Sequence, residues 1–301
     1  MTSENHTKSE KNIVIPNRNT INSLPIQEFT FDMFVNDPAI VVIAKRGSGK
    51  SCVIREIMTH YSDIPVGNVI SMSENNDPFY GTFFPDTYVF NEYKTEILEK
   101  LLHRQRLIKE KASEKIKQKK KIDTRCYLIM DDCLASRGTW NKDDTLKNVL
   151  FNGRHDNIMY ILAMQYPLGI SPELRGNFDY IFLLAEDYVS QMKRIYEHYA
   201  GMFPSFDSFR QVFGQLTVDY GCMVIVNRGV RSSFLEKIYW YRAPKTYVPK
   251  PFGHKQFRKF HEKNYNPSWR RNVDFDADEY MMRKKKDKSK IAIKRVKEDE
   301  R

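Results

Sequence analysis

The residues best suited to chemistry lie in one short run, Ala44-Lys45-Arg46-Gly47-Ser48-Gly49-Lys50-Ser51. Glycines at these positions let backbone N–H groups curl around an anion at a helix N-terminus. Lys50 would reach the β- and γ-phosphates of a nucleotide, and the Ser51 hydroxyl would hold Mg²⁺. Cys52 completes the stretch expected to line the phosphates. The pattern GxxxxGK[ST] has Ala44 in place of its first glycine. Alanine tolerates a positive φ poorly, so the turn there is expected to differ slightly. The bland alternative is a chance Gly/Lys turn. The flanks argue against it, because a β-branched apolar run, Ala39 to Ile43, precedes the loop and Val53, Ile54, Ile57 and Met58 follow at helical spacing.

Two further places carry chemistry. Asp131 and Asp132 close the apolar run Cys126-Tyr127-Leu128-Ile129-Met130. Beside a phosphate loop, the first carboxylate would hold Mg²⁺, and the second would orient and help deprotonate the water that attacks the γ-phosphate. Taken alone, an acidic pair is as well explained as a helix cap or a solvated turn. Gln165 follows the run Tyr160 to Met164, where its amide could register whether a γ-phosphate is in place. Arg154, in Phe151-Asn152-Gly153-Arg154-His155, is a candidate for stabilising transition-state charge in a neighbour's site, against the alternative of a surface arginine. Arg175 is the runner-up, and His155 is expected to pack.

These groups need strands and helices to hold them. After the first loop and helix, Asn68–Met72 and Thr87–Phe90 read as strands, separated by a turn-rich piece. Residues 94–121 read as one long helix whose apolar stripe gives way to lysines. Strands at 126–130, 158–164 and 180–184 alternate with helices at 143–152, 187–201 and 205–215, and 222–226 with 237–241 form a closing pair. The alternation predicts an α/β domain with a mostly parallel sheet and helices on both faces. Ligands then sit at the C-terminal ends of the strands, where the glycine loop, the acidic pair and Gln165 all fall. Residues 1–26 read as a polar N-terminal arm, 27–245 as the domain and 246–301 as a basic, partly disordered C-terminal extension.

Composition sets outer bounds. Of 301 residues, 41% are hydrophobic, enough for a sizeable core, and there is no apolar run that would span a membrane. Nothing at the N-terminus resembles a secretion signal. The four cysteines are dispersed and the seven histidines show no metal-binding spacing, so reduced core cysteines and no structural zinc are expected. Net charge is +11, and its placement is uneven. Residues 104–121 hold nine Lys/Arg against two Asp/Glu, and residues 270–301 hold twelve against eight. A polyanionic partner would explain both stretches; a solvated helix face and a disordered tail would explain them equally well.

Taken together, the motifs resemble a family. The set Ala44…Gly49-Lys50-Ser51, Leu128-Ile129-Met130-Asp131-Asp132, Phe151-Asn152-Gly153-Arg154-His155, Ala163-Met164-Gln165 and Leu174-Arg175-Gly176-Asn177 resembles the genome-packaging ATPases of poxviruses and giant DNA viruses, within the FtsK–HerA group of P-loop DNA pumps. The resemblance covers about residues 27–242. It implies a P-loop NTPase fold, ATP and Mg²⁺, and a homo-oligomeric ring, a hexamer or similar, that drives double-stranded DNA into a capsid. Capsid proteins would be partners, and the host cytoplasm (the viral factory) or the virion the location. By the same resemblance Arg154 matches the position of an intersubunit finger. The second acid is Asp132 here, where relatives outside the viral branch often carry Glu, which makes Asp132 less secure as base than Asp131 as metal ligand.

Two other classes compete. A P-loop kinase of a small substrate would share the phosphate loop, but no lid or acceptor signature is visible. A non-catalytic nucleic-acid-binding structural protein would use the basic stretches without needing the acidic pair. Phosphate transfer to an acceptor would mark the first, and DNA binding without nucleotide turnover the second.

Overall fold

Strand β2 (Ala39–Ile43) is buried along its whole length and sits at the middle of a nine-stranded sheet. The computed structural model describes residues 24–133, 142–230, 233–248 and 250–266. On one side β2 pairs with β6 (Ile158–Met164), followed by β5 (Cys126–Asp131), β3 (Val66–Ser71) and the two-residue β4 (Val89–Phe90), all parallel. On the other side lies β7 (Tyr180–Leu184), also parallel. Beyond it, β8 (Gly221–Val226) runs antiparallel to both β7 and β9 (Ile238–Arg242), and β1 (Gln27–Glu28) ends the sheet parallel to β9. The architecture is the expected α/β one, and the closing pair supplies its antiparallel strand.

Central strands buried on both faces read as near-continuous apolar runs, as these do. Alternate residues of β2 feed two cores. Val41 and Ile43 face helices α2 (Thr95–Lys117), α3 (Asp144–Asn152), α5 (Val189–Tyr199) and α6 (Phe206–Leu216), with the short α4 (Pro172–Arg175). Ile40 and Val42 face helix α1 (Lys50–His60) and an aromatic set that includes Phe29, Phe182 and Tyr241. Phe29 is buried, with the rings of Phe34 and Phe182 at 5.1 and 5.5 Å. The residues just past the expected N-terminal arm therefore belong to the core.

Two boundaries differ from the sequence reading. Helix α2 stops at Lys117 rather than 121, because Lys119 takes a left-handed conformation with φ 58°. Its buried residues are confined to Ile97, Leu98, Leu101 and Gln105, so the lysine-rich half lies in solvent. The second difference follows residue 245. Proline, glycine and charge there suggested a tail, but α7 (Lys255–Asn264) packs on the domain. Phe252 and Phe257 are buried, with Phe257 4.4 Å from the Tyr88 ring. Gly253 adopts φ 76° and donates its N–H to the Ser62 carbonyl at 3.0 Å. Two phenylalanines on an otherwise polar segment anchor the helix, too sparse a signal to read against that background. Residues 267–301, including the basic run predicted as a tail, lie outside the described residues, as do residues 1–23. Among the described residues no helix is long and apolar enough to cross a membrane.

Candidate phosphate-binding and hydrolytic site

Because β2, β5, β6 and β7 are parallel, their C-terminal ends share one edge of the sheet. The chain leaves β2 through Ala44, whose N–H still pairs with the Met164 carbonyl at 3.0 Å. Ala44 is not among the residues with positive φ; the left-handed positions are Gly47 (78°) and Gly49 (99°). The alanine therefore costs the turn nothing, and the expected local difference is absent. Ser48 is buried, and its hydroxyl donates to the Lys45 carbonyl at 2.7 Å, closing the loop on itself. Lys45 reaches out to pair with Asp187, past the end of β7, while Arg46 is exposed. Helix α1 starts at Lys50 directly after Gly49, and no side chain caps it. Its first N–H groups, with Ser51 and Cys52 in the first turn, are thus placed to take an anion.

Lys50 Nζ lies 2.5 Å from Asp131 Oδ1 and 3.0 Å from Asp132 Oδ1. Burial works against the ammonium charge, but the two carboxylates outweigh it and hold Lys50 above the ordinary lysine value. Asp131, on the last residue of β5, is buried, and that burial pushes its carboxyl up while Lys50 pulls it back. Asp132 turns back toward the site because it takes φ 53°, a conformation Asp tolerates better than most residues. Its Oδ2 accepts from Gln165 Nε2 at 2.7 Å. Lys50, Asp131, Asp132 and Gln165, read from three separate motifs, are brought into one hydrogen-bonded cluster.

Sequence reasoning missed Tyr80. Its hydroxyl, fully buried, donates to Asp131 Oδ2 at 2.9 Å. The Glu74 carboxylate, itself buried, accepts the N–H groups of Phe79 and Tyr80 at 3.1 Å and of Gly81 at 2.8 Å, and so pins the turn that delivers the ring. The only sequence signal was an aromatic within a turn-rich piece. Removing the hydroxyl should loosen the carboxylate that would hold Mg²⁺. Outer-shell partners of this kind are worth roughly 10–100-fold in metal affinity or activity. Tyr80→Phe is therefore expected to raise the Mg²⁺ concentration needed for half-maximal ATP hydrolysis by about tenfold, with the fold intact because the ring remains. An unchanged Mg²⁺ titration would reduce Tyr80 to packing.

The donors fit a magnesium site completed by substrate. Among the described residues there is no cluster of three or more His, Cys, Asp or Glu side chains that could cage a metal. One buried carboxylate, Asp131, with the Ser51 hydroxyl in the first turn of α1, suits an ion that is bound through few protein oxygens plus phosphates and water.

Arg154 is not part of this cluster. It sits in the turn before β6, whereas Gln165 follows β6, so the two lie at opposite edges of the sheet, roughly 20 Å apart at 3.3 Å per residue. Its guanidinium pairs with Asp179, whose side chain is buried and also takes Arg228 Nη1 at 3.0 Å and the Ala39 N–H at 2.9 Å. Arg175 is tied within its own chain, donating to the Ile170 carbonyl at 3.0 Å and lying over the Tyr199 ring. His155 is exposed, which departs from the packing role expected for it; its carbonyl accepts from Lys109 Nζ at 2.8 Å. Of the cysteines, Cys126, Cys133 and Cys222 are buried thiols and Cys52 is exposed.

The chain is similar to several known proteins. The family model described as the poxvirus A32 protein matches residues 26–196. Protein L437 of Acanthamoeba polyphaga mimivirus is 43% identical over 250 residues, covering 83% of this chain and 87% of the relative. Protein 088R of invertebrate iridescent virus 3 is 32% identical over 235 residues, covering 74% of this chain and 86% of the relative. Among solved structures, the genome-packaging NTPase B204 of Sulfolobus turreted icosahedral virus 2, in complex with AMPPCP, aligns with a TM-score of 0.48 and 14% identity, over 70% of this chain and 100% of that one. The chain belongs to the poxvirus A32 protein family, the packaging ATPases that its motifs resemble.

Proposed function

We infer that the protein is an ATP-hydrolysing motor that drives double-stranded viral DNA into a capsid. The observation that carries this reading is the cluster of Lys50, Asp131, Asp132 and Gln165 beside an uncapped helix N-terminus. Lys50 is paired with both carboxylates. When ATP enters, the phosphates draw the ammonium off them, and Asp131 becomes available as a metal ligand with Ser51. Asp131 and Ser51 would hold Mg²⁺, which would neutralise the charge that builds on the phosphates. Asp132 orients a water, accepts its proton as the water oxygen bonds to the γ-phosphorus, and the bond to the ADP oxygen breaks. Gln165 holds Asp132 in register and reports the loss of the γ-phosphate through the same hydrogen bond. Gly47, Ser48, Gly49, Lys50, Ser51 and Cys52 cradle the phosphates, while Ala44, Lys45 and Arg46 shape the approach.

Coupling to DNA calls for a homo-oligomeric ring. The exposed basic half of α2 offers Lys111 and Lys117 to a polyanion, and Lys109 ties that half to the Arg154 turn through Asp156 at 3.0 Å. Basic helix and candidate finger thus lie side by side at the edge away from the phosphate loop. Contacts of this kind release counterions, so binding should weaken steeply with salt. Capsid proteins are the expected docking partners, and the viral factory or the virion the place of action. The test is steady-state ATPase measured with and without double-stranded DNA at low salt. Stimulation by DNA that fades as salt rises is expected; turnover indifferent to DNA, or phosphate transfer to a small acceptor, would overturn the motor reading.

A further inference from the structure

Tyr220 stands on the rim of the phosphate loop. A Cβ built on Gly49 would lie 3.5 Å from both Cβ and Cδ1 of Tyr220, and 3.7 Å from Leu184 Cδ2, so the ring rests against the residue where α1 begins. It is nevertheless 67% exposed. The backbone that presents it is strained: Asp219 and Tyr220 are successive non-glycine residues in left-handed conformation, at φ 50° and 61°.

The turn is also rigidly built. A Cβ on Gly221 would meet the Leu216 carbonyl oxygen at 2.3 Å, so only glycine fits. Arg242 Nη2 donates to the Val218 carbonyl at 3.2 Å, and buried Thr217 donates its hydroxyl to the Phe213 carbonyl at 2.8 Å. A large ring left two-thirds in solvent by a strained turn gains little from packing, and strain of this sort collects at ligand sites.

Direction identifies the ligand's part. The γ-phosphate end of a nucleotide is set by Lys50, Asp131, Asp132 and Gln165, which lie on the β6 and β5 side of β2. The nucleoside must then leave toward the opposite side, over β7 and β8, where Leu184 and Tyr220 sit. The Lys45–Asp187 pair fixes the loop on that same side.

We propose that Tyr220 is the base-stacking platform of the nucleotide site, its ring lying against the face of the purine. This rests on the phosphate-loop reading of residues 44–52. Because every base has a π-face, the platform sorts nucleotides from bare polyphosphates rather than adenine from guanine.

The test compares Mg-ATP with Mg-tripolyphosphate, titrated calorimetrically into the wild-type protein, Tyr220→Ala and Tyr220→Phe. Tyr220→Ala should weaken ATP by roughly tenfold, the scale of one lost stack. It should leave tripolyphosphate affinity unchanged, and Tyr220→Phe should restore ATP binding. As a second readout, the emission of Tyr220→Trp should change on adding ATP and not on adding tripolyphosphate. Equal ATP affinity in Tyr220→Ala and wild type would overturn the proposal, as would parallel weakening of both ligands, which would mean that Tyr220 only shapes the loop. If the wild-type protein binds neither ligand, the phosphate-loop reading itself fails, and the platform with it.

Discussion

Lys50→Ala is expected to abolish ATP turnover. The phosphates lose the point charge that reaches them, and the loss should register in nucleotide binding as well as in rate. The substitution also has a structural consequence that is specific to this site. Lys50 is the cation that balances Asp131 and Asp132, at 2.5 and 3.0 Å, with Asp131 buried. Breaking a buried pair from one side costs up to about 3–5 kcal/mol because it strands the other charge. A lowered melting temperature should therefore accompany the lost activity. Adding Asp131→Asn to Lys50→Ala removes the stranded charge, so the double variant should regain much of the stability and none of the hydrolysis. Calorimetry and a phosphate-release assay on the two variants check this. Unchanged turnover in Lys50→Ala would remove the phosphate-loop reading.

Arg154→Ala is the second large effect. An arginine supplied across an interface is worth roughly 10³–10⁵ in rate in other phosphoryl-transfer systems. Arg154 lies at the edge of the sheet away from its own phosphate loop, so any such role must be played in a neighbour's site. Folding should survive the change, since Asp179 keeps Arg228 and the Ala39 N–H as partners. Nucleotide binding should survive as well. Mixing Arg154→Ala subunits with Lys50→Ala subunits, each inactive alone, should restore activity, because an intact loop can then meet an intact arginine. Failure of every mixture to recover would leave Arg154 as a strut for Asp179. Recovery with Arg175→Ala in its place, and none with Arg154→Ala, would move the role to Arg175, although that side chain is tied to Ile170 and Tyr199.

The parts of the site that were legible in the sequence are the ones written locally. A buried strand followed by its polar terminus is a contiguous pattern, and it puts Asp131, Asp132 and Gln165 at the ends of β5 and β6 and Lys50 at the start of the helix after β2. Parallel strands then force those ends to one edge of the sheet, so their meeting followed from topology. The parts that were hidden depend on contacts between distant segments. Tyr80 reaches Asp131 only because Glu74 folds a turn without regular pattern beneath the end of β5. Tyr220 meets the phosphate loop through a left-handed pair that no propensity predicts at Asp219-Tyr220. Helix α7 was hidden for the converse reason: prolines, glycines and charges dominate its neighbourhood, while its attachment rests on Phe252 and Phe257. Arg154 shows a third kind of limit, since the partner visible within its own chain is Asp179, and a role in a neighbour's site would leave no mark there.

The central claim is that hydrolysis at the Lys50–Asp131–Asp132 cluster moves double-stranded DNA. Displacement of a short third strand from a DNA triplex, followed in real time with purified protein, tests it most directly. The wild-type protein should strip the third strand with Mg-ATP and not with a non-hydrolysable analogue. Asp132→Asn, which keeps Asp131 and Ser51 for the metal, should bind Mg-ATP and DNA yet leave the triplex intact. Displacement by Asp132→Asn or with the analogue, or brisk hydrolysis by the wild type with no displacement, would contradict the account.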